Sequence, residues 1–178
     1  MTAGDDRRAV SRIYEESWRR AYRGIVPQAY LDAIPEGRWV KNLDIPGWSV
    51  MLCLEDGEPV GTGSFSRSRS ERYPDAGEVI SIYLLPEYWG KEYGGPLLEA
   101  MVTELEKQGY PEAFLWILED NGRARRFYEK HGFSCAGETT EGTIGGKALR
   151  EVRYVRRLDS PGKAHSPARQ TETGRMHT

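Results

Sequence analysis

The apolar residues in the first part of the chain recur every three or four positions. They are Val10, Ile13, Tyr14, Trp18, Ala21 and Tyr22. This spacing predicts a helix with its apolar side chains on one face. Asp5 or Asp6 can cap its start and Gly24 ends it. Two shorter helical pieces are predicted around 27–34 and 37–43.

The pattern changes to that of β-strands after residue 47. Residues 48–54 and 59–66 flank an Asp56-Gly57 pair, which is a strong hairpin signal. Residues 78–85, EVISIYLL, form a further strand. Residues 113–118, AFLWIL, are apolar without alternation, which is typical of a central strand that is buried on both faces.

Two more helices and two more strands complete the predicted order. The helices cover 94–108 and a segment that begins at Asn121; the strands cover 133–138 and 149–156, with a turn at 142–146. A strand, a helix and a strand in succession predict a parallel pair. The sequence therefore predicts a single α/β domain with a mixed sheet flanked by helices.

Composition limits the class of protein. The chain has 178 residues, enough for one domain with a core, which we assign to 1–158. Residues 159–178 have almost no apolar side chains and are predicted to be a disordered tail. The 25 basic and 27 acidic residues give a formal net charge of -2, which provides no bulk attraction to nucleic acid or to a membrane surface. No apolar run is long enough to span a bilayer.

The two cysteines, Cys53 and Cys135, lie far apart in the sequence. Neither belongs to a CxxC pair or lies near a histidine cluster, so no metal site is predicted. Such cysteine usage fits a protein of the reducing cytoplasm.

The stretch YWGKEYGGPLLEAM, residues 88–101, places glycines directly before a predicted helix. Unpaired N–H groups at a helix N-terminus favour an anion such as a phosphate. A P-loop would need GxxxxGK[ST], which the chain lacks, and a GxGxxG dinucleotide motif does not fit the spacing of Gly90, Gly94 and Gly95. The remaining candidate is the pyrophosphate loop of acyl-CoA-dependent acyltransferases.

Three segments resemble the motifs of one family. EVISIYLLPEYWGKEYGGPLL is similar to a strand, a proline bend and a [QR]xxGx[GA] loop. NGRARRFYEKHGF is similar to an NxxAxxFYxxxGF helix, and SWRRAYRGIVPQAYL is similar to the acceptor-side helices of one branch. By these segments, which span most of residues 11–134, the chain resembles the GNAT superfamily of acetyl-CoA-dependent N-acetyltransferases.

The resemblance implies a GNAT-like fold with a cofactor site. In that fold the sheet splays between the strands at 78–85 and 113–118, so that the peptide-like pantetheine arm of acetyl-CoA can pair with exposed backbone. The backbone of Ile82, Tyr83 and Leu84 is expected to make these contacts. The pyrophosphate is expected on a loop formed by Trp89, Gly90, Lys91, Glu92, Tyr93, Gly94 and Gly95.

Two residues of the last helical segment are further candidates for cofactor binding. Tyr128 matches a family tyrosine near the thioester sulfur, where its O–H would give a proton to the departing thiolate. As an aromatic residue at helical spacing, it fits a core position as well. Asn121 matches a residue that contacts the cofactor, and asparagine is also a good helix cap.

The acceptor side of the site is predicted from three residues. Glu78 begins a strand, where its carboxylate is either solvated or a general base that takes the proton of the acceptor's ammonium group. Trp18 and Tyr22 lie on the apolar face of the first helix, so they are either core residues or walls of the acceptor pocket.

The chain departs from the family pattern at three places. Trp89 stands where the family has glutamine or arginine, and Glu92 stands where it has a glycine that faces the pyrophosphate. A carboxylate at that place should repel the phosphates and weaken binding. The strand that normally precedes the first helix is short or missing.

These observations predict transfer of an acetyl group from acetyl-CoA to a primary amine of a small molecule or peptide. The resemblance implies direct attack by the amine, without an acyl-enzyme. The alternative is a degenerate GNAT-like module that binds CoA or senses a ligand with little catalysis. Homodimers are frequent in the resembling family. The identity of the acceptor and the preferred acyl chain are left open.

Overall fold

The computed structural model of the chain describes residues 1–2 and 4–158. The tail predicted from residue 159 onward lies outside the described residues. Six strands form one mixed sheet in the order β1-β2-β3-β4-β6-β5. The strands are β1 Ser49–Glu55, β2 Glu58–Arg67, β3 Gly77–Leu84, β4 Glu112–Leu118, β5 Ser134–Ile144 and β6 Lys147–Arg157. The predicted α/β class with a mixed sheet is confirmed.

Four α-helices of the described residues flank the sheet. They are α1 Arg7–Ala21, α2 Gln28–Asp32, α3 Gly94–Lys107 and α4 Gly122–Lys130. Asp6 caps α1, since its carboxylate accepts hydrogen bonds from the N–H groups of Arg8 and Ala9. No described helix is both long and apolar enough to cross a membrane.

Local sequence signals predicted most element boundaries well. The hairpin turn between β1 and β2 has Asp56 at φ 51° and Gly57 at φ 86°, which fits a type I′ turn. Two predictions were wrong in detail. The piece at 37–43 contains only a 3-10 turn, Val40–Asn42, and β5 continues to Ile144 because the turn itself needs only Gly145 and Gly146.

The parallel strands β3 and β4 are paired over a very short length. Only Gly77 with Ala113 and Glu78 with Phe114 are in register. Beyond these residues the strands part, although β3 stays paired to β2 and β4 stays paired to β6. The predicted splay of the sheet is therefore present.

A β-bulge on β3 changes which side chains face each layer. Ser64 pairs with Ser81 whereas Phe65 pairs with Val79, so Ile80 has no partner on β2. An extra residue reverses the alternation of side chains beyond it. As a result Ser81 and Tyr83 face α1, on the same side as Glu78.

The core has two layers, one on each face of the sheet. The larger cluster joins β2, β3, β4 and β6 to α3 and α4, with Leu98, Met101 and Leu105 of α3 at 0% exposure. On the other face, Leu118 of β4 and Leu149 of β6 pack against Leu31 of α2. The central strand β4 is thus buried on both faces, as its apolar run predicted.

Gly77 lies at the point where the sheet divides, and α3 packs closely against it. A Cβ atom added there would lie 2.7 Å from Cδ2 and 3.1 Å from Cγ of the fully buried Leu105. We expect Gly77→Ala to lower the free energy of unfolding by about 1–3 kcal/mol through overpacking, measured by urea denaturation.

The matched control is Gly142→Ala on β5, where an added Cβ meets nothing within 4 Å. Both variants gain the same reduction in unfolded-state entropy, so the difference between them isolates the steric effect. If Gly77→Ala and Gly142→Ala had the same urea denaturation midpoint, the close contact between position 77 and Leu105 would be contradicted.

Candidate functional site

A cleft of about 170 Å³ opens where β3 and β4 part. Residues 80–84 of β3 form one wall, and residues 116–118 of β4 with the start of α4 form the other. Six of the predicted site residues that line it are Tyr22, Ile82, Tyr83, Leu84, Asn121 and Tyr128, and the loop adds Trp89 and Gly94. The remaining predicted residues are not in its lining; they are Trp18, Glu78, Gly90, Lys91, Glu92, Tyr93 and Gly95.

The backbone of β3 presents alternate residues to the cleft. The Leu85 N–H donates to the Val60 carbonyl of β2 over 2.9 Å, so the Leu84 carbonyl in the same trans peptide points away from β2 and into the cleft. Alternation along the strand directs the backbone of Ile82 the same way and that of Tyr83 toward β2. The expected backbone pairing therefore fits Ile82 and Leu84, while Tyr83 lines the cleft with its side chain.

The Leu84 carbonyl is already engaged. Ser17 Oγ donates to it over 2.7 Å and Trp89 Nε1 over 2.9 Å. The tryptophan that replaces the family's polar residue thus ties the turn after β3 back to the strand. The N–H of Leu84 remains the group available to a ligand.

The loop before α3 contains two residues in the left-handed region. Gly90 has φ 76° and Glu92 has φ 64°, a conformation that glycine adopts without steric cost and glutamate does not. A glycine at position 92 would suit this backbone regardless of any ligand. The Glu92 side chain is exposed.

The two glycines at the start of α3 make close packing contacts. A Cβ on Gly94 would lie 3.2 Å from the Phe127 ring, and one on Gly95 would lie 2.7 Å from His131 Cε1. No side chain caps this helix, because Tyr93 at the N-cap makes no cap hydrogen bond. The first N–H groups of α3 can therefore face an anion.

Two loop side chains are held by neighbours. Lys91 lies over the Tyr88 ring with Nζ 5.1 Å from its centroid. The Tyr93 hydroxyl donates to the Glu55 carboxylate; this hydrogen bond, followed by desolvation, raises the pKa of Tyr93.

Trp89 also makes a cation–π contact with a residue on the opposite wall of the cleft. The Arg123 guanidinium lies over the indole, 3.6 Å from the ring centroid. Burial lowers the pKa of Arg123. Within the described residues no carboxylate forms an ion pair with Arg123, so its guanidinium can attract an anionic ligand.

Tyr128 lies on α4 with its ring at 8% exposure. It lines the cleft, and its hydroxyl makes no hydrogen bond to the described part of the protein. Burial is the main cause that raises the pKa of Tyr128 well above its ordinary value. The phenol therefore keeps its proton at neutral pH and presents it to the cleft.

Asn121 lies both at the N-terminus of α4 and in the lining of the cleft. Its Oδ1 accepts the Ala124 N–H over 3.1 Å and so caps α4, while the residue also lines the cleft. The capping function predicted from the sequence is confirmed. Contact with a cofactor stays a prediction.

Glu78 is buried at 3% exposure, so it is not a solvated strand end. Its Oε2 accepts hydrogen bonds from the Arg69 backbone N–H at 3.0 Å and from Arg69 Nε at 3.1 Å, and its Oε1 accepts one from Nη2. Its two oxygens are therefore occupied, and it lies outside the cleft lining. The role of general base stays a prediction that these contacts do not favour.

The two aromatic candidates on α1 have different surroundings. Tyr22 lines the cleft and its hydroxyl shares a 3.1 Å hydrogen bond with the Tyr83 hydroxyl. Trp18 packs on Tyr22 with ring centroids 4.7 Å apart and lines a second cavity instead. That cavity of about 160 Å³ also contains Trp39 and Trp48 and shares Tyr83 with the cleft.

Sequence reasoning missed two cleft residues. Arg123 was not assigned to the site, and Glu151 was not singled out in the last strand. The available signal for Arg123 was its position two residues after the helix cap. For Glu151 no local signal exists, because the strand KALREVRYVRR carries charges on both faces.

Comparison with known proteins agrees with this geometry. The sequence profile of the Acetyltransferase (GNAT) family matches residues 9–133. An uncharacterized N-acetyltransferase of Bacillus subtilis, YuaI, is 31% identical over 152 residues, covering 83% of this chain and 86% of that protein. A spermidine N(1)-acetyltransferase of Thermoplasma acidophilum is 24% identical, covering 84% of this chain and 92% of that protein.

Solved structures share the fold at low sequence identity. The PaiA N-acetyltransferase of Thermoplasma acidophilum, in complex with coenzyme A, has a TM-score of 0.65 at 20% identity, covering 86% of this chain and 93% of that one. The ribosomal-protein-S18-alanine N-acetyltransferase of Escherichia coli has a TM-score of 0.67 at 17% identity, covering 91% of this chain and 94% of that one. With a family match over residues 9–133 and a relative at 31% identity, the chain belongs to the GNAT family of acetyltransferases.

Proposed function

We propose that this protein transfers an acetyl group from acetyl-CoA to a primary amine of a small molecule or peptide. The observation that carries the proposal is the cleft between β3 and β4, which brings unpaired strand backbone opposite a buried tyrosine with a free hydroxyl. An extended, peptide-like group can pair with such an edge as an added strand.

The binding role of β3 rests on two residues. The backbone groups of Ile82 and the N–H of Leu84 face the cleft and can pair with the amides of the pantetheine arm. One of these N–H groups can also polarise the acetyl carbonyl and stabilise the oxyanion that forms on attack.

The start of α3 is proposed to receive the pyrophosphate. Its uncapped N–H groups and the helix dipole favour negative charge. Gly94 lines the cleft directly. Gly95 does not, and a side chain at that position would collide with the His131 ring. Residues Gly90, Lys91, Glu92 and Tyr93 shape the loop, and the exposed Glu92 opposes the phosphates.

Tyr128 is proposed to be the general acid. The amine nitrogen attacks the thioester carbon directly, and the Tyr128 O–H gives its proton to the sulfur that leaves. Neither Cys53 nor Cys135 lines the cleft, which fits a route without an acyl-cysteine. Tyr22 is proposed as a wall of the acceptor side, with Trp18 behind it.

The function is tested by binding and turnover together. Acetyl-CoA at 100 times its dissociation constant should stabilise the protein by about 2.7 kcal/mol, seen as a rise in melting temperature. Thiol release should then appear with some member of a panel of alkylamines, polyamines, amino acids and peptide N-termini. Absence of the melting shift would contradict the proposed function.

We expect Tyr128→Phe to retain acetyl-CoA binding and to lower turnover by about 10²-fold, because only the proton donor is removed. Thiol release at saturating acetyl-CoA measures this effect. Tyr110→Phe is the matched control, since Tyr110 packs against the same core but does not line the cleft. Wild-type turnover in Tyr128→Phe would reduce Tyr128 to a packing residue.

We expect Glu92→Gly to tighten acetyl-CoA, because it removes a repulsive charge and a side chain that limits how closely the phosphates can approach the loop backbone. The charge part should be about 1 kcal/mol at low salt for an exposed residue. Glu92→Gln should recover only that part, and the gain should shrink as salt is added. Isothermal titration at two salt concentrations measures both effects.

Glu87→Gln is the control for Glu92, since it removes an exposed charge from the same turn at a residue outside the cleft lining. If neither Glu92 variant binds acetyl-CoA more tightly than the wild type at low salt, the pyrophosphate does not lie over this loop.

A further inference from the structure

One carboxylate in the cleft has no role in the function proposed above. Glu151 lies near the middle of β6 and is the only Asp or Glu side chain that lines the cleft within residues 1–2 and 4–158. Among those residues it has no hydrogen-bond partner and no cation within 4.0 Å. It is nevertheless half-buried.

The register of the sheet fixes where Glu151 points. It pairs with Leu118 at the end of β4, and directly opposed residues project to the same face. Leu118 packs with Leu149 and α2, on the face of the sheet that Tyr22 also covers. Glu151 therefore projects toward the α1 side of the cleft, opposite the helix layer that carries Tyr128.

The charged and titratable groups around Glu151 come from four other segments. Its charge acts on Tyr22 at the end of α1, and the positive charge of Arg69, from the segment after β2, acts on it. Arg123 and Tyr128 of α4 and Tyr83 of β3 line the same cleft. Burial raises the pKa of Glu151, and Arg69 opposes this effect only in part.

Arg69 does not neutralise Glu151, because its guanidinium is bound to both oxygens of Glu78. A carboxylate that is removed from water without a cationic partner is costly. A cation supplied by a ligand would recover that cost, and a primary amine acceptor is an ammonium cation at neutral pH. The acceptor side of the cleft thus carries one charge of the sign that such a ligand needs.

We propose that Glu151 binds the ammonium group of the acceptor and takes its proton before attack. The proposal rests on the function proposed above and names the base for that reaction. Tyr22 and Tyr83 form an aromatic wall of the same cleft, which suits the alkyl or aryl body of a monoamine better than a second ammonium group.

The proton transfers balance as follows. Glu151 takes one proton from R–NH₃⁺ and passes it to solvent, which leaves R–NH₂ with a free electron pair. That pair forms the C–N bond as the carbonyl π electrons move onto oxygen; the carbonyl then re-forms, and the C–S bond breaks with its electrons leaving on sulfur. Tyr128 gives its proton to sulfur, and the second proton lost by nitrogen restores the Tyr128 hydroxyl through water. No atom is oxidised or reduced.

Kinetic measurements distinguish Glu151 from Glu78 as the general base. With n-butylamine as the acceptor, Glu151→Gln should lower kcat/KM at pH 7 by at least about 10²-fold, while acetyl-CoA binding stays at the wild-type value and the melting temperature does not fall, because an unpaired charge is removed. The acidic limb of the kcat profile, set by Glu151, should lie above the ordinary glutamate range and disappear in this variant. Glu151→Asp should keep the limb.

Glu141→Gln is the matched control, because it removes an exposed carboxylate from the neighbouring strand β5. An acidic limb that persists in Glu151→Gln and disappears in Glu78→Gln would overturn the proposal, while leaving acetyl transfer itself intact.

An NMR measurement that needs no turnover separates binding of the amine by Glu151 from catalysis. In protein labelled with ¹³C at glutamate carboxyl carbons, the Glu151 signal is identified by its loss in Glu151→Gln. Addition of n-butylammonium in the presence of CoA should lower the pKa of this carboxyl, because the bound cation favours its charged form. A pKa unchanged by saturating amine would overturn the proposal, even if the wild-type enzyme acetylates other amines.

Discussion

The structure depends on how far two parallel strands remain paired. β3 and β4 share two registered pairs and then separate, while their outer neighbours hold each of them in place. Separation leaves strand backbone without partners in the middle of the sheet, a place where buried N–H and C=O groups are normally satisfied. The cleft, the facing backbone of Ile82 and Leu84 and the access to Tyr128 all follow from this gap.

The β-bulge at Ile80 determines which side chains of β3 face each side of the gap between β3 and β4. Without it, Ser81 and Tyr83 would point into the layer of α3 and α4, and α1 would meet a different set of side chains. With it, the hydroxyls of Tyr14 and Ser81, and those of Tyr22 and Tyr83, join across the α1 interface. One extra residue therefore places Tyr83 on the α1 side of the cleft, the side to which Glu151 of β6 also projects, opposite the Tyr128 phenol on the α4 side.

Local spacing predicted the order of elements, whereas the resemblance to the GNAT family implied the splayed pair and the grouping of Asn121, Tyr128 and the glycine loop. Neither could predict features set by pairing between distant strands. The bulge is invisible in EVISIYLL, whose alternation suggests a regular strand. Glu151 enters the cleft only because β6 pairs with the end of β4. The burial of Glu78 depends likewise on its hydrogen bonds with Arg69, a contact between two separate segments.

The stacked pair of Arg123 and Trp89 gives the protein an optical property. The indole lies against a cation at 3.6 Å and donates its N–H to the Leu84 carbonyl, so its excited state experiences a fixed local field at the wall of the cleft. An anion that draws the guanidinium away changes that field and with it the emission of Trp89. The residue that departs from the family pattern thus makes occupancy of this enzyme visible by its own fluorescence, without a label.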